Sequence, residues 1–185
     1  MEAIEAIYTR QSVPKVKPDP IPRALVEQLL GAAVQAPNHH RVRPWRFIVL
    51  AGAARQRLGE VMAQSKKQRA PETPDSVLDV ERSRPLRAPL MIAVGVDKPT
   101  EPRVSEVENI CAAAAATQNL LLAAHALGLG AMWRTGPAAL DSAVKEFLGL
   151  TPDQHLIGFL YIGYPEADLS PTTRPGIEDR TAWME

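Results

Sequence analysis

Three short stretches of this chain carry side chains suited to an anion or to a flat polar ring. Arg10-Gln11-Ser12 follows a short helical run and sets a guanidinium fork beside a hydroxyl. His39-His40-Arg41-Val42-Arg43 is a basic cluster that runs into Pro44-Trp45. Trp133-Arg134-Thr135-Gly136 puts an aromatic ring, a cation and a hydroxyl between a strand and a helix. The first backbone N–H groups of that helix could complete a phosphate cradle. Each stretch alone also reads as solvated surface, since the dipole at a helix C-terminus favours an arginine in any case. Three of them in one chain with 21 basic and 21 acidic side chains, and so no net charge, are more suggestive than any one.

Other chemistries lack their parts. No Gly-x-Ser-x-Gly elbow and no Walker loop occurs, and Gly128-Leu129-Gly130-Ala131 lacks the third glycine of a dinucleotide fingerprint. His39 and His40 are adjacent, so their side chains diverge and cannot jointly chelate a metal without a third ligand. His125 and His155 stand singly in apolar segments and read as structural, while Glu106 and Glu108, two apart, read as solvated. The single cysteine, Cys111, permits no intramolecular disulfide and no thiolate metal site. Neither a metal site nor a catalytic side chain is identified. The zero net charge gives no general attraction to nucleic acid or to an anionic membrane. No apolar run approaches the ~20 residues that span a bilayer, and the acidic start is unlike a signal peptide, so a cytoplasmic protein is expected.

The elements that must position these loops read as α+β, in one domain over 1–185. Residues 2–10 place Ala3, Ile4, Ile7 and Tyr8 at helical spacing. Prolines at 14, 18, 20 and 22 keep the next stretch extended. A helix follows to about Gln35, with Leu25, Leu29, Ala32 and Ala33 as its stripe. Strands are expected at 45–50, 90–96, 131–133 and 156–162, the second covered on both faces. Further helices are expected at 53–65, 104–128 and 137–148. Residues 66–88 read as a mobile excursion with one helical piece, and 164–185 as a tail without period. The sum is a sheet of about four strands wrapped by helices.

The ordered motifs resemble those of the flavin-binding nitroreductases, especially their short members. The family's opening Arg-Arg-Ser-Val-Arg is similar to Arg10-Gln11-Ser12-Val13-Pro14. Its Ala-Pro-Ser-x-x-Asn-x-Gln-Pro-Trp-x-Phe is similar to the run from Ala36 to Phe47, and its Gln-Asn-Leu-x-Leu-Ala-Ala segment to Gln118 through Ala124 with Gly128-Leu129-Gly130. Trp133-Arg134-Thr135-Gly136 and Gly163-Tyr164-Pro165 match two later motifs, so the likeness covers nearly the whole chain. It implies a three-layer sandwich with a central, mostly antiparallel sheet, and an intertwined homodimer holding FMN at the subunit interface. It implies FMN contacts at Arg10, Gln11, Ser12, Trp133, Arg134 and Thr135, with Gln35 and His39 reaching the site from the other subunit. It associates Ala123, Ala124, His125, Ala126, Leu127 and Gly128 with NADH or NADPH, and carries the tail after Pro165 onto the partner. The activity it implies is hydride transfer from NAD(P)H through the flavin to a nitroaromatic, quinone or similar acceptor. A non-catalytic flavin carrier, or other redox chemistry such as dehalogenation, enoate reduction or flavin breakdown, stands as the alternative. Gln11, Pro14 and Gln35 replace arginines of the pattern, whereas Arg41 and Arg43 replace an asparagine and a glutamine.

Overall fold

The computed structural model describes residues 1–170 and 172–185. Four strands, β1 (Trp45–Ala51), β2 (Leu90–Val96), β3 (Gly130–Arg134) and β4 (His155–Gly163), form one sheet in the order β1-β2-β4-β3. Every pairing is antiparallel. The helices are α1 (Ala3–Thr9), α2 (Arg23–Ala33), α3 (Ala53–Arg69), α4 (Asp75–Ser83), α5 (Glu106–Ala126), α6 (Pro137–Leu140) and α7 (Ser142–Phe147). Among the described residues no helix is long and apolar enough to cross a membrane.

The layering follows from strand alternation. β2 is buried along its whole length, as expected of a strand covered on both faces. Its Leu90, Ile92, Val94 and Val96 face the layer of α2 and α5, where Leu29, Ala113, Ala116 and Leu120 meet Leu160 and Ile162. Met91 and Ala93 face the opposite layer, against Leu58, Met62, Val144 and Phe159. The alanines of α5 let α2 approach closely enough for Asn119 Nδ2 to donate to Ala32 O at 3.3 Å. A capping box starts α5: the Glu108 N–H donates to Ser105 Oγ, and Ser105 N–H to Glu108 Oε2.

Two expectations are corrected. Residues 66–88 are ordered: α3 continues to Arg69, α4 follows, and a 3-10 turn spans Arg84–Arg87. Gly59 makes this packing feasible, because a Cβ there would stand 2.3 Å from Arg82 O. The helix expected over 137–148 is two helices, parted at Asp141. Asp141 caps α7 through the N–H groups of Ala143 and Val144, and its buried carboxylate accepts from Ser65 Oγ at 2.7 Å and pairs with Arg69. Burial raises this carboxyl, yet the bonds from Ser65, Arg69 and Val144 outweigh it and hold it below its ordinary range. The helix expected over residues 2–10 forms as α1, with only Ala6 buried and Ile4, Ile7 and Tyr8 exposed.

Candidate functional site

After α1 the chain runs extended along the outer edge of β3. Val13 N–H donates to Ala131 O at 3.0 Å and Lys17 N–H to Tyr164 O at 2.7 Å, and Val16 bridges Pro165. Gly130 and Gly163 are needed there, since a Cβ on either would stand 2.7–2.8 Å from Val13 or Val16. Val13 and Val16 then pack with Ala88 and Tyr161. This strap sets Arg10, Gln11 and Ser12 just ahead of Val13, which bonds Ala131 of β3, the strand that ends in Arg134.

The tail lies against the same loop. Gln11 Nε2 donates to Ser170 O at 2.8 Å, and Arg174 Nη2 donates to Arg10 O at 2.9 Å. Burial, and then the positive Arg174 beside it, lower the Arg10 guanidinium from its ordinary value. No carboxylate of the described residues lies within ion-pair distance of either arginine.

Strand alternation separates the two large side chains of the third loop. Trp133 faces the α5 layer, and its Nε1–H donates to Ile157 O at 3.1 Å. Arg134 faces the other way, with its guanidinium 5.9 Å from the centre of the Tyr161 ring. There it joins Thr135, Arg84 and Arg87 around a cleft of about 250 Å³ floored by Met62, Met91, Phe159 and Tyr161. Burial pushes the Tyr161 phenol up, against the pull of Arg87, Arg134 and Arg84. It therefore stays protonated at neutral pH, with a donor for a ligand.

A second cleft of about 350 Å³ shares Met62, Arg84, Pro137 and Ala138 with the first. Its charges are matched: Lys66 pairs with Glu81, and Arg69 with Asp141. Arg84 Nε lies 2.7 Å from Glu81 Oε2, off the line of its own N–H, so the contact is an ion pair without a hydrogen bond. Arg10, Arg87, Arg134 and Arg174 have no such counter-charge among the described residues. Arg84, Arg87, Tyr161 and Arg174 were not singled out in the sequence. The one hint was the Arg84-Pro85-Leu86-Arg87 spacing immediately before a strand.

Gln35 and His39 lie elsewhere. Gln35 is exposed at the end of α2, with Nε2 3.3 Å from Gly31 O. His39 Nε2 stands 3.3 Å from Glu108 Oε1, near the start of α5. Thr9, next to Arg10, instead bonds His125 Nε2 at 2.8 Å near the other end of that helix. Positions 108 and 125 are 17 residues apart, about 25 Å at 1.5 Å per residue. One chain therefore cannot bring His39 to Arg10. Beside His39 lies a cleft of about 450 Å³ lined by Pro37, Asn38, Glu108, Cys111, Ala112 and Ala115.

The segment from Ala123 to Gly128 closes α5. Ala124 is buried; Ala123 and His125 are half-buried; Ala126, Leu127 and Gly128 are exposed. His125 and Gly128 border a cleft of about 700 Å³ against Lys17 and residues 165–169. The acids read as solvated have partners: Glu106 pairs with Lys98 and His155, and Glu108 with Ser105 and His39. Bonding from Lys98 and then His155 holds the Glu106 carboxyl below its usual range.

The family model described as "Nitroreductase family" matches residues 7–164. A relative named "Putative NAD(P)H nitroreductase YdjA", from Escherichia coli strain K12, is 31% identical over 185 residues, covering 100% of this chain and 98% of its own length. The crystal structure of a nitroreductase-like family protein from Bacillus cereus superposes with a TM-score of 0.84 at 27% identity, covering 100% of this chain and 97% of that one. A Desulfovibrio desulfuricans protein solved in complex with FMN has a TM-score of 0.73 at 27% identity, covering 100% and 98%.

Proposed function

This chain belongs to the nitroreductase family, and on that premise we propose that it is an FMN-dependent oxidoreductase, working as a homodimer, that passes electrons from NADH or NADPH to a nitroaromatic, quinone or similar electron-poor acceptor. The observation that carries the reading is two pairs of arginines left without counter-charges. A chain without net charge sets Arg87 and Arg134 on an apolar-floored cleft, and Arg10 beside Arg174, all without carboxylate partners among the described residues. Such an excess of donors suits a ligand with a phosphate at one end and a flat, polar-edged ring at the other.

The residues fit FMN on that ground. Arg10, Ser12 and Arg174 would hold the phosphate, with Gln11 fastening the tail over it. Arg84, Arg87, Arg134 and Thr135 would meet the polar ring edge, where guanidinium groups stabilise negative charge. Tyr161 offers a protonated hydroxyl, and Trp133 stiffens the strand from behind. FMN, when bound, accepts and donates hydride itself, so the chain needs no catalytic acid–base pair.

The separation of Arg10 from His39 supports the dimer. A two-fold arrangement with the α5 helices crossing head to tail would set Gln35 and His39 of one subunit against Arg10 of the other. Ile4, Ile7 and Tyr8 of α1, with Val107 of α5, would supply its apolar contact. Ile177, Trp183 and Met184, exposed in the tail, would reach the partner. NAD(P)H would approach along the end of α5 at Ala123–Gly128, where Lys17 and His125 line the large cleft.

The purified protein should be yellow, or become so with FMN, and NAD(P)H should bleach it anaerobically. A nitroaromatic or quinone should then restore the colour. A colourless protein that cannot be reconstituted overturns the proposal, and a yellow one that NAD(P)H fails to bleach would be a flavin carrier.

A further inference from the structure

We propose that this protein takes its electrons from NADH in preference to NADPH, because Glu166 and Asp168 line the cleft at the end of α5 where the donor's adenosine half would lie. The inference rests on the flavoprotein reading above, which brings NAD(P)H to that cleft. The place of the cleft is the first observation. It holds about 700 Å³ between the end of α5, Lys17 and residues 165–169. Two of its lining residues tie it to the loop that carries Arg10. His125 bonds Thr9 Oγ1 at 2.8 Å, and Leu169 precedes Ser170, whose carbonyl accepts from Gln11 Nε2 at 2.8 Å. A dinucleotide that passes Arg10 on its way to the flavin would rest its far end here.

The charges are the second observation. Among the lining residues Lys17 is the one lysine or arginine, against the two acids Glu166 and Asp168. All three are exposed, and none is ion-paired with another described residue. Their backbone is tied across the Val16–Pro165 bridge: Lys17 N–H donates to Tyr164 O at 2.7 Å, and Glu166 N–H to Lys15 O at 3.4 Å. The C-terminal end of α5, a 21-residue helix, opens onto the cleft at His125 and Gly128, and its dipole adds to the negative potential. In the reading above, Arg10 and Arg174 are taken by the FMN phosphate. One lysine then serves the pyrophosphate that both donors share. NADPH brings a further 2′-phosphate, about two more negative charges, to a cleft that already holds two carboxylates. NADH presents a 2′-hydroxyl instead, which donates to a carboxylate.

The test reduces holoprotein anaerobically with NADH or NADPH and takes the second-order rate of flavin bleaching for each. At low salt NADH should be about ten-fold faster or more, and the ratio should shrink as salt screens the carboxylates. In the Glu166→Gln/Asp168→Asn double variant the ratio should fall to about two-fold or less, through a gain for NADPH. Both substitutions neutralise exposed side chains, so the variant should fold as the wild type does. NADPH as fast as NADH in the wild type, or a ratio unchanged in the variant, overturns the inference while leaving the flavoprotein reading intact. A protein that neither donor bleaches overturns the inference and the oxidoreductase together.

Discussion

Gly158→Ala should damage the site from the strand beneath it. Gly158 has φ +141°, and a Cβ there would stand 2.5 Å from the Trp133 indole nitrogen and 2.6 Å from Arg134 O. Holding alanine in that backbone region costs about 1–3 kcal/mol. Relieving overlap with a packed indole and a backbone carbonyl adds about 1–3 kcal/mol. If the indole swings away, its bond to Ile157 O goes as well, roughly 1 kcal/mol. The total is about 3–7 kcal/mol, a large share of a typical domain's stability. At roughly 2–4 °C per kcal/mol, Tm should fall by at least ~6 °C. Gly149→Ala is the matched control: φ there is +73°, with no atom within 4 Å of a Cβ, so only the left-handed penalty of about 1–2 kcal/mol applies. Urea titration of both variants isolates the close approach as the difference. If the two lose stability within about 1 kcal/mol of each other, the packing of Trp133 and Arg134 on Gly158 is not what demands glycine.

Arg174→Ala should weaken FMN binding by about ten-fold or more yet leave riboflavin, which lacks the phosphate, within about two-fold; fluorescence titration of both ligands checks this, and equal losses would remove Arg174 from the phosphate. Asp141→Asn should cost about 1–3 kcal/mol at neutral pH. Because the folded Asp141 carboxyl lies below its unfolded value, its contribution is present above the unfolded pKa of about 3.9 and vanishes as pH falls through the folded one. The gap between wild type and Asp141→Asn in urea titrations should therefore close in acid; a gap independent of pH would contradict the ion pair with Arg69. An Ile4→Glu/Tyr8→Glu variant places charge on the exposed apolar face of α1 and should shift the protein from dimer to monomer by light scattering, with loss of FMN. A dimer that persists unchanged would move the interface off α1.

How much was legible depended on the range of the interactions. Strand and helix periods follow from side chains alternating over two or 3.6 residues, so the four strands, α2 and α5 were readable where apolar residues recur. The stretch over 66–88 gave little signal because α4 is only nine residues long, buries only Leu78 and Glu81, and is held by a close backbone approach at Gly59, which no local pattern announces. Asp141 divides a helix-like run because Ser65 and Arg69, more than 70 positions away, fix its carboxylate as a cap.

The site divides in the same way. Arg10, Gln11, Ser12, Arg134 and Thr135 could be named from the sequence because they sit in loops whose residue types suit anion binding. Their companions Arg84, Arg87, Tyr161 and Arg174 could not, since each is chemically ordinary in its own segment. The sequence by itself determined which residues are cationic, where the chain must bend, and that the family's motifs occur in order. Only the tertiary structure decided which cations lack counter-charges, that Trp133 and Arg134 face opposite sides of a strand, and that Arg10 and His39 stand at opposite ends of α5. The physical reason is that charge balance and distance are set by contacts between segments far apart in the chain, whereas periodicity is set by neighbours within it.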